Sequence, residues 1–157
     1  MPSIREQVRR NAVALISLVL AVASLGYNTW RNETTEHQRN VRHASFEVLE
    51  RLGTLQEVVD ARHYYLPYDS APGGEGETRL RGFGSVALVR DLMNLMPAPG
   101  PETGAMLHEQ WVAQFGALDD LDAAGQPTAE ASEAERQLTA AINDARGAVV
   151  DILKGLE

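Results

Sequence analysis

Four histidines are the first residues in this chain with the chemistry to bind a metal: His37, His43, His63 and His108. On a helix turning about 100° per residue, His37 and His43 lie roughly 120° apart. His43 and His63 are separated by several turns, so no ion joins them within one helix. His108-Glu109 lacks the second histidine of a zinc-protease helix, because position 112 is Val112. Asp60-Ala61-Arg62-His63 has the i, i+3 carboxylate–histidine spacing of di-iron helical bundles. Such a site needs a second pair and two further inward carboxylates, and no second pair is found. No metal or other cofactor is expected, and the histidines read as surface residues.

The stretch "HYYLPYD", residues 63–69, gathers three tyrosines and a histidine. At the end of a helical bundle, His63, Tyr64, Tyr65 and Tyr68 would cap the core or, as the sharper alternative, line a small-molecule pocket. Arg62 belongs to that candidate site. Arg79 and Arg81 would lie close if the following loop folds back, which suggests an acidic ligand. "GGEGE", residues 73–77, is glycine-rich, but its carboxylates would repel phosphate and it has no lysine. No G-x-S-x-G motif is present, and no nucleophile sits beside a recognisable base. The chain has no cysteine, which removes disulfides, thiolate ligands and cysteine nucleophiles. The expectation is a protein that is not an enzyme.

The elements that must carry these residues begin with an apolar segment. Residues 11–30, "NAVALISLVLAVASLGYNTW", contain no charge. Twenty helical residues cover the roughly 30 Å hydrocarbon core of a bilayer. Arg5, Arg9 and Arg10 precede the segment, and Tyr27, Trp30 and Arg31 fall where a membrane interface would lie. The rival reading is a cleaved signal peptide, since Ala21-Val22-Ala23 fits an A-x-A site. No helix breaker precedes that site, so the anchor is preferred. Ala14, Ser17, Ala21 and Ser24 form a stripe of small side chains along the segment, the pattern that permits close helix approach and a homodimer.

Beyond it the chain is acidic. The whole sequence carries −8, and from residue 31 onward eleven basic residues face twenty-one acidic ones, a net −10. A surface of that sign does not attract nucleic acid. Lys154 is the only lysine, and with abundant alanine this points to a bacterial protein from a GC-rich genome. Arg31 and the residues to position 40 support no apolar core and read as a polar stalk. Arg31, Arg39 and Arg42 are the alternative there, as a contact for headgroups or a partner.

From Val41 apolar residues return in a 3-4 rhythm: Val41, Val48, Leu52, Leu55, Val59 and Leu66, with Ser45 and Arg62 at the remaining seam positions and Phe46, Leu49 and Val58 widening the stripe. The absence of a helix breaker from Trp30 to Leu66 lets the apolar helix run straight into this one, until Pro67 stops it. Residues 67–77 read as a loop. Leu80, Phe83, Ala87, Leu88, Leu92, Leu95 and Met96 suggest a second helix, weakened by Gly82 and Gly84, and residues 97–101, "PAPGP", break it. A third helix starts near Pro101 or Thr103 and buries Leu107, Trp111, Phe115, Leu118 and Leu121. The fourth, with Leu138, Ile142, Ala145, Val149, Ile152 and Leu156, has the cleanest spacing in the chain.

"SLGYNTWRNETTEHQRN", "LGTLQEVVDARHYY" and "RDLMNLMPAPGPET" together resemble uncharacterised small single-pass inner-membrane proteins of proteobacteria, a group that implies no activity and no catalytic residues. In architecture the chain is similar to the four-helix sensor domains of chemoreceptors. It departs from them because no second apolar segment follows Leu156 here, so signalling would require a partner. The combined expectation is an all-α protein. Residues 1–10 form a cytoplasmic N-terminal tail, 11–30 a transmembrane helix, 31–40 a stalk, and 41–157 an up-down-up-down four-helix bundle on the periplasmic side of a bacterial inner membrane. Its expected role is that of an accessory or scaffold protein binding a membrane or periplasmic partner. The alternative is a ligand-binding, sensor-like module.

Overall fold

A computed structural model describes residues 11–65 and 74–156. Four helices make up almost all of them: α1, Ala12–Asp60; α2, Gly74–Met93; α3, Gly100–Gln114; and α4, Ala129–Lys154. A π-helical turn, Ala61–Tyr65, continues α1, and a 3₁₀ turn, Phe115–Ala117, continues α3. No strand forms among the described residues; Leu121 and Pro127 make a single isolated bridge. By contacts the chain divides into residues 1–40 and residues 41–157.

Described by itself, the first unit is helix. Its large apolar side chains are exposed, Val13, Ile16, Leu18, Val22, Leu25 and Trp30 among them. This helix is long and apolar enough to cross a membrane. Tyr27 and Trp30 pack against each other with ring centroids 6.2 Å apart. Ala14, Ser17, Ala21 and Ser24 are all exposed. In the polar residues 31–40 the helix is unbroken, and Thr34 and Thr35 donate their hydroxyls back to the carbonyls of Trp30 and Arg31.

The second unit has one apolar core. From α1 it takes Val41, Val48, Leu52, Leu55 and Val59, as the 3-4 rhythm requires. Ser45 on the same seam is fully buried; its hydroxyl donates to the Val41 carbonyl at 2.8 Å, so burial leaves it satisfied. From α4 the core takes Leu138, Ile142, Ala145, Val149 and Ile152, with Leu156 half-buried. Thr128 caps α4 by accepting from the Ala131 amide at 3.0 Å. Gln56 on α1 donates to Thr139 on α4, and Arg42 donates to the Leu156 carbonyl.

Four expectations need correction. Phe46, expected to widen the stripe of α1, is 64% exposed, while Val58 is buried and Leu49 packs against the core. Residues 74–77 are not loop: α2 begins at Gly74, with Glu75 and Glu77 in its first turn, where carboxylates favour the helix dipole. Helix α2 also buries a face other than the one its leucines mark. Thr78, Gly82, Ser85, Val86, Val89 and Met93 are inside, while Leu80 is 78% exposed and Leu88 37%, and Phe83 and Leu92 are only partly buried; Leu95, 71% exposed, lies beyond the helix end, and Met96 after it is buried. Gly82 decides the matter, because a Cβ there would lie 2.5 Å from Trp111 Cζ2. The glycine that weakens the helix locally is what lets the α3 tryptophan approach it. Lastly, Leu121 is 36% exposed and lies beyond α3, whereas Leu107, Trp111, Phe115 and Leu118 are buried as expected.

Candidate functional site

The candidate residues at the end of α1 divide into two buried and two exposed. The seam of α1 reaches Val59, and three and four residues further on come Arg62 and His63. Helical spacing turns both towards the core, and they are only 4% and 5% exposed. Both take their partners from the segment that follows α3. Arg62 Nη2 donates to Asp119 Oδ1 at 2.6 Å, and its guanidinium carbon lies 4.6 Å from the centroid of Phe115. The planar cation thus gains a carboxylate and an aromatic face together. Among the described residues its Nε and Nη1 have no partner, and neither has the buried Nε1 of Trp111.

His63 Nδ1 lies 3.0 Å from the Leu118 carbonyl oxygen. A carbonyl only accepts, so Nδ1 carries the hydrogen and Nε2 is the acceptor in the neutral ring. The imidazole also meets the Tyr64 ring edge-on, with centroids 4.6 Å apart. Neither Arg62 nor His63 is presented to solvent. Both tie the end of α1 to Leu118 and Asp119, two residues that sequence reasoning gave no polar role. The only signal for them was the acidic run Asp119-Asp120-Leu121-Asp122 directly after the third apolar run.

Tyr64 and Tyr65 are about half exposed, at 53% and 52%. Partial burial, followed by the nearby Glu135 and Asp60 carboxylates, pushes the Tyr64 phenol above its ordinary value. Tyr65 lines a groove of about 330 Å³ together with Val58, Ala61, Thr78 and three carboxylates, Glu57, Asp60 and Glu77. Among the described residues the one cation in the groove is Arg81, already paired with Glu57 at 2.9 Å. Arg79 lies over the Phe83 ring, 5.4 Å from its centroid. The three arginines expected to attract an acidic ligand are therefore engaged with the protein's own groups, and the groove is net acidic. Tyr68 lies outside the described residues, as do Leu66 and Pro67.

Among the described residues no group of three or more His, Asp or Glu side chains is placed to hold a metal ion. A second groove, of about 410 Å³, runs between α3 and α4 past Met106, Gln110, Gln137 and Ala141 and carries one charge, Asp144. No protein-family model matches the chain, and neither a curated protein nor a solved structure is similar to it.

Proposed function

We propose that the chain is a single-pass protein of a bacterial inner membrane. In this reading residues 1–10 are cytoplasmic and 11–30 span the bilayer, with Tyr27, Trp30 and Arg31 at the interface. Residues 41–157 form a periplasmic up-down-up-down four-helix bundle that binds a protein partner as an accessory or scaffold. One observation carries the reading: in the helix Ala12–Asp60, large apolar side chains are exposed up to Trp30, whereas Val41, Val48, Leu52, Leu55, Val58 and Val59 are buried, Phe46 alone of the later large apolar residues remaining exposed. Exposed leucine and valine over some 18 residues cost little in lipid and much in water. Arg42–Leu156 and Gln56–Thr139 pair α1 with α4 in opposite directions, and Glu57–Arg81 joins α1 to the start of α2, which supports the up-down order.

Fusion of a fluorescent protein and of alkaline phosphatase to the C-terminus tests the topology. Phosphatase activity with a dark fluorescent fusion is the expected outcome in membranes washed with carbonate. A bright C-terminal fluorescent fusion would overturn it.

The groove beside Tyr65 favours a second reading, a sensor-like module. Its carboxylates suit a small organic cation better than the acidic ligand suggested by sequence. A thermal-shift screen of amines against the detergent-solubilised chain tests this. A response to carboxylates alone would reject it.

A further inference from the structure

Helix α2 is apolar on two sides. Its inner face is buried in the core, yet Leu80 and Leu88 remain exposed on the outer side, at 78% and 37%. A surface helix ordinarily concentrates its apolar residues on one face, and leucines exposed on the opposite side beside complementary charges suit a contact with another surface. The outer seam reads Glu77, Arg81, Gly84, Leu88 and Asp91, with spacings of 4, 3, 4 and 3. That is a heptad register, turned away from the buried Gly82, Val86, Val89 and Met93. Gly84 makes a notch in the middle: a Cβ built there meets nothing within 4 Å.

We propose that this face binds the same face of a second copy, with the two α2 helices antiparallel. A two-fold interface sets a surface against itself, so it must be self-complementary. In the antiparallel register Leu88 of each copy stands opposite Gly84 of the other, a large side chain against a notch. Arg81 stands opposite Asp91, twice. The parallel register instead puts Arg81 against Arg81 and Asp91 against Asp91, which like-charge repulsion opposes. Within one copy Arg81 pairs with Glu57 and Asp91 with its neighbour Arg90, and all four side chains are exposed, so exchanging these partners costs little. The contact rests on α2 alone and does not depend on the membrane reading.

The test is the oligomeric state of the full chain in mild detergent, by light scattering with the micelle mass subtracted. The wild type is expected to dimerise. Arg81→Asp and Asp91→Arg alone should each raise the dissociation constant about tenfold, since each places like charges opposite at two symmetric positions. The double variant, Arg81→Asp with Asp91→Arg, should restore it. Gly84→Leu, which has open space within one copy, should weaken the dimer and leave helicity unchanged. A monomeric wild type, or a double variant no better than either single, overturns the proposal. So does a dimer indifferent to these changes but lost on Ser17→Leu, Ala21→Leu, which would place the contact in the apolar segment.

Discussion

Arg62 is a cation placed where a helical seam calls for an apolar residue, and its energetics follow from that. The Asp119 carboxylate balances its charge and Phe115 covers its face, while two of its nitrogens gain nothing. Removing one member of a buried pair strands the other, a loss of about 3–5 kcal/mol in fully buried cases. Asp119 is 23% exposed, so water reaches it, and Asp119→Ala should fall near the lower end of that range. Arg62→Met reverses the asymmetry. It removes the unpartnered N–H groups, fills the seam with an apolar side chain and leaves Asp119 to solvent, so it should cost about 1 kcal/mol or less. Thermal melting of the detergent-solubilised chain, followed by near-ultraviolet ellipticity, compares the two. A larger loss for Arg62→Met would show that the pair stabilises the tip more than its burial costs. The sequence placed Arg62 on the seam correctly, but it could not name Asp119: the partner lies 57 residues away, in a segment without periodicity.

At the scale of elements, legibility follows how evenly each helix divides its surface between core and water. Helix α4 keeps its apolar residues at 4, 3, 4, 3 spacing with charged residues elsewhere, and every expected core position from Leu138 to Ile152 is buried. Ile142→Ala should therefore cost about 2–5 kcal/mol and lower the melting temperature, whereas Glu135→Ala, which loses only contacts at the rim such as that from Thr139, should be nearly silent. Equal effects would mean that the seam is misplaced. Helix α2 misled because leucines lie on both faces and its inner face relies on Gly82 and Ser85, residues that no hydrophobic pattern selects. What identifies Gly82 is the bulk of Trp111 on another helix, a tertiary fact. The apolar segment makes a separate prediction. Small side chains at Ala14, Ser17, Ala21 and Ser24 allow helices to pack closely in lipid, where association has no hydrophobic drive of its own. Crosslinking in native membranes should fall in a Ser17→Leu, Ala21→Leu variant. An unchanged yield would reduce the stripe to composition.

For the molecule as a whole, the question that governs every other is whether its apolar segment stays attached. Ala21-Val22-Ala23 satisfies the small-residue rule for signal-peptide cleavage. Cleavage, however, needs those residues extended in the protease, and here they lie inside Ala12–Asp60, a 49-residue helix without a proline. Gly26 is the only glycine near the site, and it comes after it. Unwinding the helix at Ala21 would break backbone hydrogen bonds where the bilayer offers no substitute partners, at several kcal/mol for each unsatisfied group. Tyr27 and Trp30 pack together where the apolar run ends, and in the proposed anchor they would sit at the interface, a feature that a discarded leader would not need. The expected result is a natively expressed chain that sediments with membranes, resists carbonate extraction and has an intact mass including the apolar segment. Inserting Pro-Gly before Ala21 should release a shorter, soluble species by supplying the missing break. A native mature chain beginning at Ser24 in the soluble periplasmic fraction would show that the segment is an address rather than an anchor, and the acidic helical unit from Val41 onward would then act free of the membrane.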